Sequence, residues 1–198
     1  MRIFALLAAA LLPALAAPPD AGKGKTLGDP KARVVMELYS DFMCPHCKHL
    51  HETILPQIEA DFVKTGKAYL IFRDIPLAIP GHVYSRPAAV IASAAARVGK
   101  YREVSDALFR GQTSWGMTGR IWDFVAPALS ADDLKRVQAL ADDPGTAADV
   151  QRDYDLSQTE RISQTPTMLV TYKGKKYPWI EWGDYSLFKG LVNDLLKK

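Results

Sequence analysis

The 198-residue chain holds two cysteines, Cys44 and Cys47, and both lie in the single motif Cys44-Pro45-His46-Cys47. A bridge closing so small a loop restrains the unfolded chain very little, so stabilising the fold is a poor reason for the pair. Reversible thiol chemistry is the better one. In such chemistry a thiolate attacks a disulfide sulfur, a mixed disulfide forms, and a neighbouring thiol resolves it. A C-x-x-C at the start of a helix puts its first sulfur where unpaired backbone N–H groups and the helix dipole favour negative charge. Cys44 is therefore expected to be the attacking sulfur. Cys47, one turn in and on the apolar face, is expected to be more buried and to resolve. His46 can add positive charge or donate a hydrogen bond to the thiolate. If Cys44 titrated about 3 units below pH 7, the reduced form would be favoured by about 4 kcal/mol. For a two-electron couple that is about 90 mV more oxidising.

The rival use of two thiols is a metal site with His46, His49 or His51. No second C-x-x-C and no distant histidine pair completes four ligands, so no metal is expected. Haem attachment needs a histidine directly after the second cysteine, and Lys48 stands there. The redox-active disulfide itself is then the only prosthetic device expected, with no separate cofactor.

The elements that must position these sulfurs follow from periodicity. Val34 to Tyr39 is apolar and β-favouring, a buried strand. Behind Cys44 the apolar positions Cys47, Leu50, Ile54, Ile58 and Phe62 mark one face of a helix. Pro45 suits the first helical position, and Pro56 is expected to kink the helix. Ala68 to Phe72 is a second strand, which makes a right-handed βαβ unit. From His82 to Ile162 the period is helical. Pro87 to Val98 should stop at Gly99 and Lys100 to Arg110 at Gly111. Ile121 to Leu129, a helix opened by the capping pattern Ser130-Ala131-Asp132-Asp133, and Thr146 to Ile162 follow. Thr167 to Tyr172 and Lys176 to Glu181 form a hairpin, and Asp184 caps a closing helix whose apolar face is Phe188, Leu191, Val192, Leu195 and Leu196.

The first residues read as an export address. Arg2, an apolar run from Ile3 to Leu12 and Ala14-Leu15-Ala16 match a cleavable signal peptide over residues 1–16. Residues 17–30, rich in Pro, Gly and Lys, read as a flexible lead-in. About 180 residues remain, enough for one compact unit. A formal charge of +3, or +2 once Arg2 leaves with the signal peptide, argues for neither nucleic acid nor anionic lipid as partner.

The tetrapeptide Cys44-Pro45-His46-Cys47 resembles the active site of the DsbA-like family of the thioredoxin superfamily. Glu37 to Cys44 and Arg73-Asp74-Ile75-Pro76-Leu77 resemble further family segments, and Thr165-Pro166-Thr167 resembles the cis-proline loop that faces the cysteines. The resemblance implies an α/β thioredoxin fold (residues 31–81 and 163–198) with a helical domain (82–162) inserted between its βαβ and ββα halves. It implies a protein-disulfide oxidoreductase in which Pro166 completes the site and Thr165 meets the substrate backbone. Glu37 would match the buried acid that relays protons to the resolving thiol. The chain departs from DsbA itself in carrying Thr165 where DsbA has Val before the cis-proline, and in one extra residue between strand and Cys44.

Phe42 and Met43 flank the motif and are expected beside bound substrate. Trp115 and Met117 are expected in the core between helices, His49 and His51 on a solvated helix surface, and His82 in a structural or loop role. The expected function is oxidation of reduced exported proteins by a periplasmic monomer, recycled by a membrane-bound or soluble redox partner. Disulfide isomerases of the superfamily add an N-terminal dimerisation domain, for which the short segment ahead of Val34 leaves no room. The alternatives are a reductant or isomerase of the same superfamily, and an exported copper or zinc carrier.

Overall fold

The computed structural model describes residues 24–198, so the expected signal peptide lies outside the described residues. In chain order the elements are β1 (Thr26–Leu27), β2 (Val34–Ser40), α1 (Pro45–His49), α2 (Leu55–Ile58), β3 (Ala68–Asp74), α3 (Ser85–Arg97), α4 (Tyr101–Thr118), α5 (Trp122–Val125), α6 (Ala131–Ala141), α7 (Pro144–Thr159), β4 (Thr167–Tyr172), β5 (Lys175–Trp179) and α8 (Tyr185–Lys197). The five strands form one mixed sheet in the order β1-β3-β2-β4-β5. β2 and β3 run parallel, as a βαβ crossover requires, and β4 pairs antiparallel with β2. β2 is therefore central, and the motif begins just past its end.

Alternation along β2 divides the core. Val34, Met36 and Leu38 join the large cluster that includes Cys47, Leu50 and Ile58, while Tyr39 packs with Ile75 and Leu169 in a separate cluster. The alanine-rich α3 packs against α4, α6 and α7, its small side chains allowing close approach.

Three expectations are corrected. Pro56 does not simply kink one helix. The segment after α1 widens into a π-helical turn over Leu50–Ile54, where the Leu55 N–H bonds to the Leu50 carbonyl, and a second such turn spans Glu59–Val63. Lacking an N–H, Pro56 sits at the start of α2, where none is needed. Gly111 does not end its helix. α4 runs on to Gly119, whose positive φ of 72° closes it. A Cβ on Gly111 would lie 2.4 Å from the Phe124 ring, so this glycine serves the close approach of α5. Finally, the described part of the lead-in holds regular structure. Thr26 and Leu27 pair with Ile71 and Leu70 of β3, and Lys25 is buried.

Lys25 anchors a buried ionic cluster. Its Nζ lies 2.7 Å from Asp74 Oδ2 and 2.9 Å from Asp153 Oδ2. Arg73 bonds Glu37 at 2.8 Å and Asp153 at 3.2 Å, and the Tyr101 hydroxyl donates to Asp74 at 2.7 Å. Burial works against the charged Lys25, and the two carboxylates outweigh it, so its pKa is raised. For Asp74, burial is the main reason its pKa is raised. The cluster joins Lys25, just ahead of β1, to the sheet and α7.

Candidate active site

β2 ends at Ser40, and a tight turn over Asp41 to Met43 delivers Cys44 to the N-cap of α1, with Pro45 at the first helical position. The turn is tied from within: the Met43 N–H donates to Asp41 Oδ1 at 2.7 Å, and the Cys44 N–H donates to the Asp41 carbonyl at 3.1 Å. It is tied from outside by Gln112 of α4, whose Nε2 donates to the carbonyls of Phe42 and Cys44 at 2.8 and 3.0 Å. Neither Asp41 nor Gln112 was expected at the site. Asp41 had a local signal, an Asx residue directly after a strand, whereas Gln112 is joined to the turn only by tertiary packing.

Both cysteines are free thiols. The Cys44 thiol is lowered from 9.0 to about 5. The largest cause is a hydrogen bond from the Cys47 thiol. Burial opposes it, and Thr165 and the backbone amides of Cys47 and His46 add to the stabilisation. Cys47 moves the other way: burial first, then the bond it gives to Cys44, raise its thiol well above the ordinary range. The two thiols are thus unequal in the expected sense. The side chain of His46 is exposed, and its backbone N–H is what favours the Cys44 thiolate.

The Thr165–Pro166 peptide bond is cis, as expected, and Pro166 is buried. Cys44 Sγ lies 3.5 Å from the Thr165 carbonyl. The Thr165 hydroxyl is buried and unpartnered, yet it is one of the groups that lower the Cys44 pKa. The two observations fit one picture. The protonated thiol donates to the carbonyl, and the hydroxyl is left to donate to the thiolate. Thr165→Val, which removes only that donor, should raise the Cys44 pKa by roughly one unit. Thiolate ultraviolet absorbance followed against pH would show it, and an unchanged midpoint would remove the hydroxyl from the account.

Several expected site residues lie elsewhere. Glu37 sits on the sheet face opposite Cys47, where its carboxylate is held by Arg73. Leu38, one position further along β2, shares the face of the resolving thiol instead. Phe42 is buried against Phe109, with ring centroids 4.9 Å apart, and offers substrate no surface. Met43 is half-buried beside Gly116 and accepts the Tyr84 N–H on its sulfur at 3.3 Å. His51 is not solvated: it is buried, bonds Asp106 at 2.6 Å and packs on Phe109. His49 is exposed as expected, and Trp115 is core, but Met117 is 76% exposed. Among the described residues no three His, Cys, Asp or Glu side chains converge as metal ligands.

A family model described as thioredoxin matches residues 20–185. The chain belongs to the thioredoxin family. It is 27% identical over 184 residues to disulfide bond formation protein D of Bacillus subtilis, covering 86% of this chain and 76% of that protein. The chain spans between 23% and 55% of the lengths of the other curated relatives it matches. Among solved structures, oxidised BdbD from Bacillus subtilis superposes with a TM-score of 0.75 at 26% identity, covering 91% of this chain and 96% of that one. Wolbachia pipientis α-DsbA1 gives 0.72 at 23% identity, covering 91% and 93%. The fold is the DsbA-like thioredoxin fold with its inserted helices, and the site is that of a DsbA-type thiol-disulfide oxidoreductase.

Proposed function

We propose that this thioredoxin-family protein works in the oxidising direction, accepting electrons from reduced exported proteins through the Cys44–Cys47 disulfide. A substrate thiolate attacks Cys44, and Cys47 leaves as the second sulfur. The substrate's other thiolate then attacks the mixed disulfide and expels Cys44 as a thiolate, leaving a substrate disulfide and a reduced pair. A low-pKa thiolate is a good leaving group and a stable product, so both the last step and the equilibrium favour oxidation. The single observation carrying this reading is the Cys44 thiol at about 5. The Thr165 backbone, beside Cys44, would pair with an extended substrate segment in a largely sequence-blind way. A redox partner, in the membrane or soluble, would reoxidise the pair. The export-signal pattern read in residues 1–16 supports a periplasmic setting.

The pH dependence follows from the sign of the shift. A thiol depressed from 9.0 to about 5 stabilises the reduced fold fully above pH 9, and the contribution disappears as pH falls through 5. At pH 7 it amounts to about 3 kcal/mol, or about 60 mV. Melting curves should therefore show the reduced protein more stable than the oxidised one at neutral pH, with the gap narrowing toward pH 5. An oxidised form that melts higher throughout would make the protein a reductant. The copper or zinc carrier is not favoured, since the relatives that the chain resembles include ones named for disulfide chemistry.

A further inference from the structure

Asp41 is the one carboxylate built into the active-site turn, and its side chain is completely buried. It accepts four hydrogen bonds. Two fall on Oδ1, from the Met43 N–H at 2.7 Å and Ser85 Oγ at 2.6 Å. Two fall on Oδ2, from the Leu77 N–H at 2.8 Å and His82 Nδ1 at 3.0 Å. These partners come from three places: the turn itself, the loop after β3, and the first residue of α3. His82 is the only basic side chain that meets the carboxylate among the described residues. The main chain of the same residue faces both cysteines. Its N–H lies 3.5 Å from Cys47 Sγ, and its carbonyl receives the Cys44 N–H.

That N–H matters at one step. When oxidised glutathione reacts with the reduced protein, the Cys44 thiolate attacks it, a mixed disulfide forms and one glutathione thiolate leaves. Cys47 must then give up its proton to solvent, carry charge in a buried position and attack Cys44, so that the second glutathione thiolate leaves. Burial opposes that charge, and the donors that favour it are the Asp41 N–H and the Ser40 hydroxyl. We propose that Asp41 and His82 are positioning residues for this resolving step, clamping the turn to the loop after β3 so that the Asp41 N–H stays aimed at the Cys47 sulfur. The side chain does not touch the reacting atoms. It acts by holding the backbone donor in place, and Glu37, on the far face of the sheet, leaves that task to it.

The inference rests on the thiol-disulfide reading but not on its direction. The test is rapid-mixing kinetics of the full protein with oxidised glutathione, following mixed-disulfide formation and its resolution separately. Asp41→Asn and His82→Leu should slow resolution by roughly 10-fold while leaving formation at Cys44 near the wild-type rate. His82→Asn, which can keep a donor toward Asp41, should recover most of the loss. His82→Leu removes one bond of four, so it should fold even if Asp41→Asn does not. Unchanged resolution in the folded variants, or equal slowing of both steps, would reduce the pair to a structural brace. If wild type forms no mixed disulfide with glutathione, the thiol-disulfide reading itself fails instead.

Discussion

Cys44→Ala should abolish dithiol-disulfide exchange, whereas Cys47→Ala should stop turnover but accumulate Cys44-linked adducts. The inequality of the two sulfurs requires this asymmetry. Cys44 sits at the start of α1 with its thiol at about 5, so at neutral pH it is almost wholly thiolate. Cys47 is 1% exposed and burial holds it protonated. Without Cys47, Cys44 can still attack a substrate disulfide, form one mixed bond and release one substrate thiolate. No second protein thiol remains to resolve that bond. Without Cys44, the remaining thiol is the buried Cys47. Non-reducing gels of both variants incubated with a disulfide substrate provide the readout. Alkylation across pH in the wild type should give half-maximal labelling near pH 5 at Cys44, with Cys47 unreactive until the protein unfolds. Adducts through Cys47 in the Cys44→Ala variant would reverse the assignment.

Lys25→Met should be among the most damaging single changes away from the sulfurs, costing about 3–5 kcal/mol. The expected fall in melting temperature is about 10 °C for a domain of this size. The reason is what the methionine leaves behind. Asp74 and Asp153 would face each other in a buried site, with Arg73 the remaining cation bonded to Asp153. An unpaired buried charge is far more costly than a missing contact. Acid should restore part of the loss. Asp74 already holds its proton more tightly than an ordinary carboxyl because it is buried, and losing Lys25 strengthens that hold. A carboxyl whose folded pKa is raised favours the fold below its unfolded pKa and loses that advantage as pH rises, so the variant should be weakest at neutral pH. Thermal melts of wild type and variant across pH decide it. A loss under about 1 kcal/mol, the scale of an exposed pair, would mean that the cluster is hydrated.

The parts of this molecule that could be read from sequence are those carried by local pattern. β2, the N-terminal position of Pro45, the hairpin of β4 and β5 and the Asp184 cap each follow from a few adjacent residues. The cysteine pair itself also fell to this kind of reading. What escaped depends on partners far along the chain. β1 is two residues long in a Gly- and Lys-rich stretch, and only its pairing with β3 and the burial of Lys25 make it structure. Gly111 looks like a helix terminator until the Phe124 ring is seen against it. His51 reads as a surface residue because its partner Asp106 lies 55 positions away. Glu37 shows how far a resemblance can reach: its residue type fits the expected acid, but alternation along β2 turns it from the sulfurs.

The hydrogen bond between Cys44 and Thr165 also ties the active site to a late part of the chain. The two residues are 121 positions apart, and Lys25 and Asp153 are 128 apart. A chain still being synthesised therefore carries Cys44 and Cys47 long before the loop that completes their surroundings exists. β2, the centre of the sheet, also waits for β4 from beyond the inserted helices. Through most of its synthesis the chain lacks the Thr165 contribution to thiolate stability, which adds to the larger one from the Cys47 thiol within the motif. The site is completed last, when the chain beyond the inserted helices folds back onto β2.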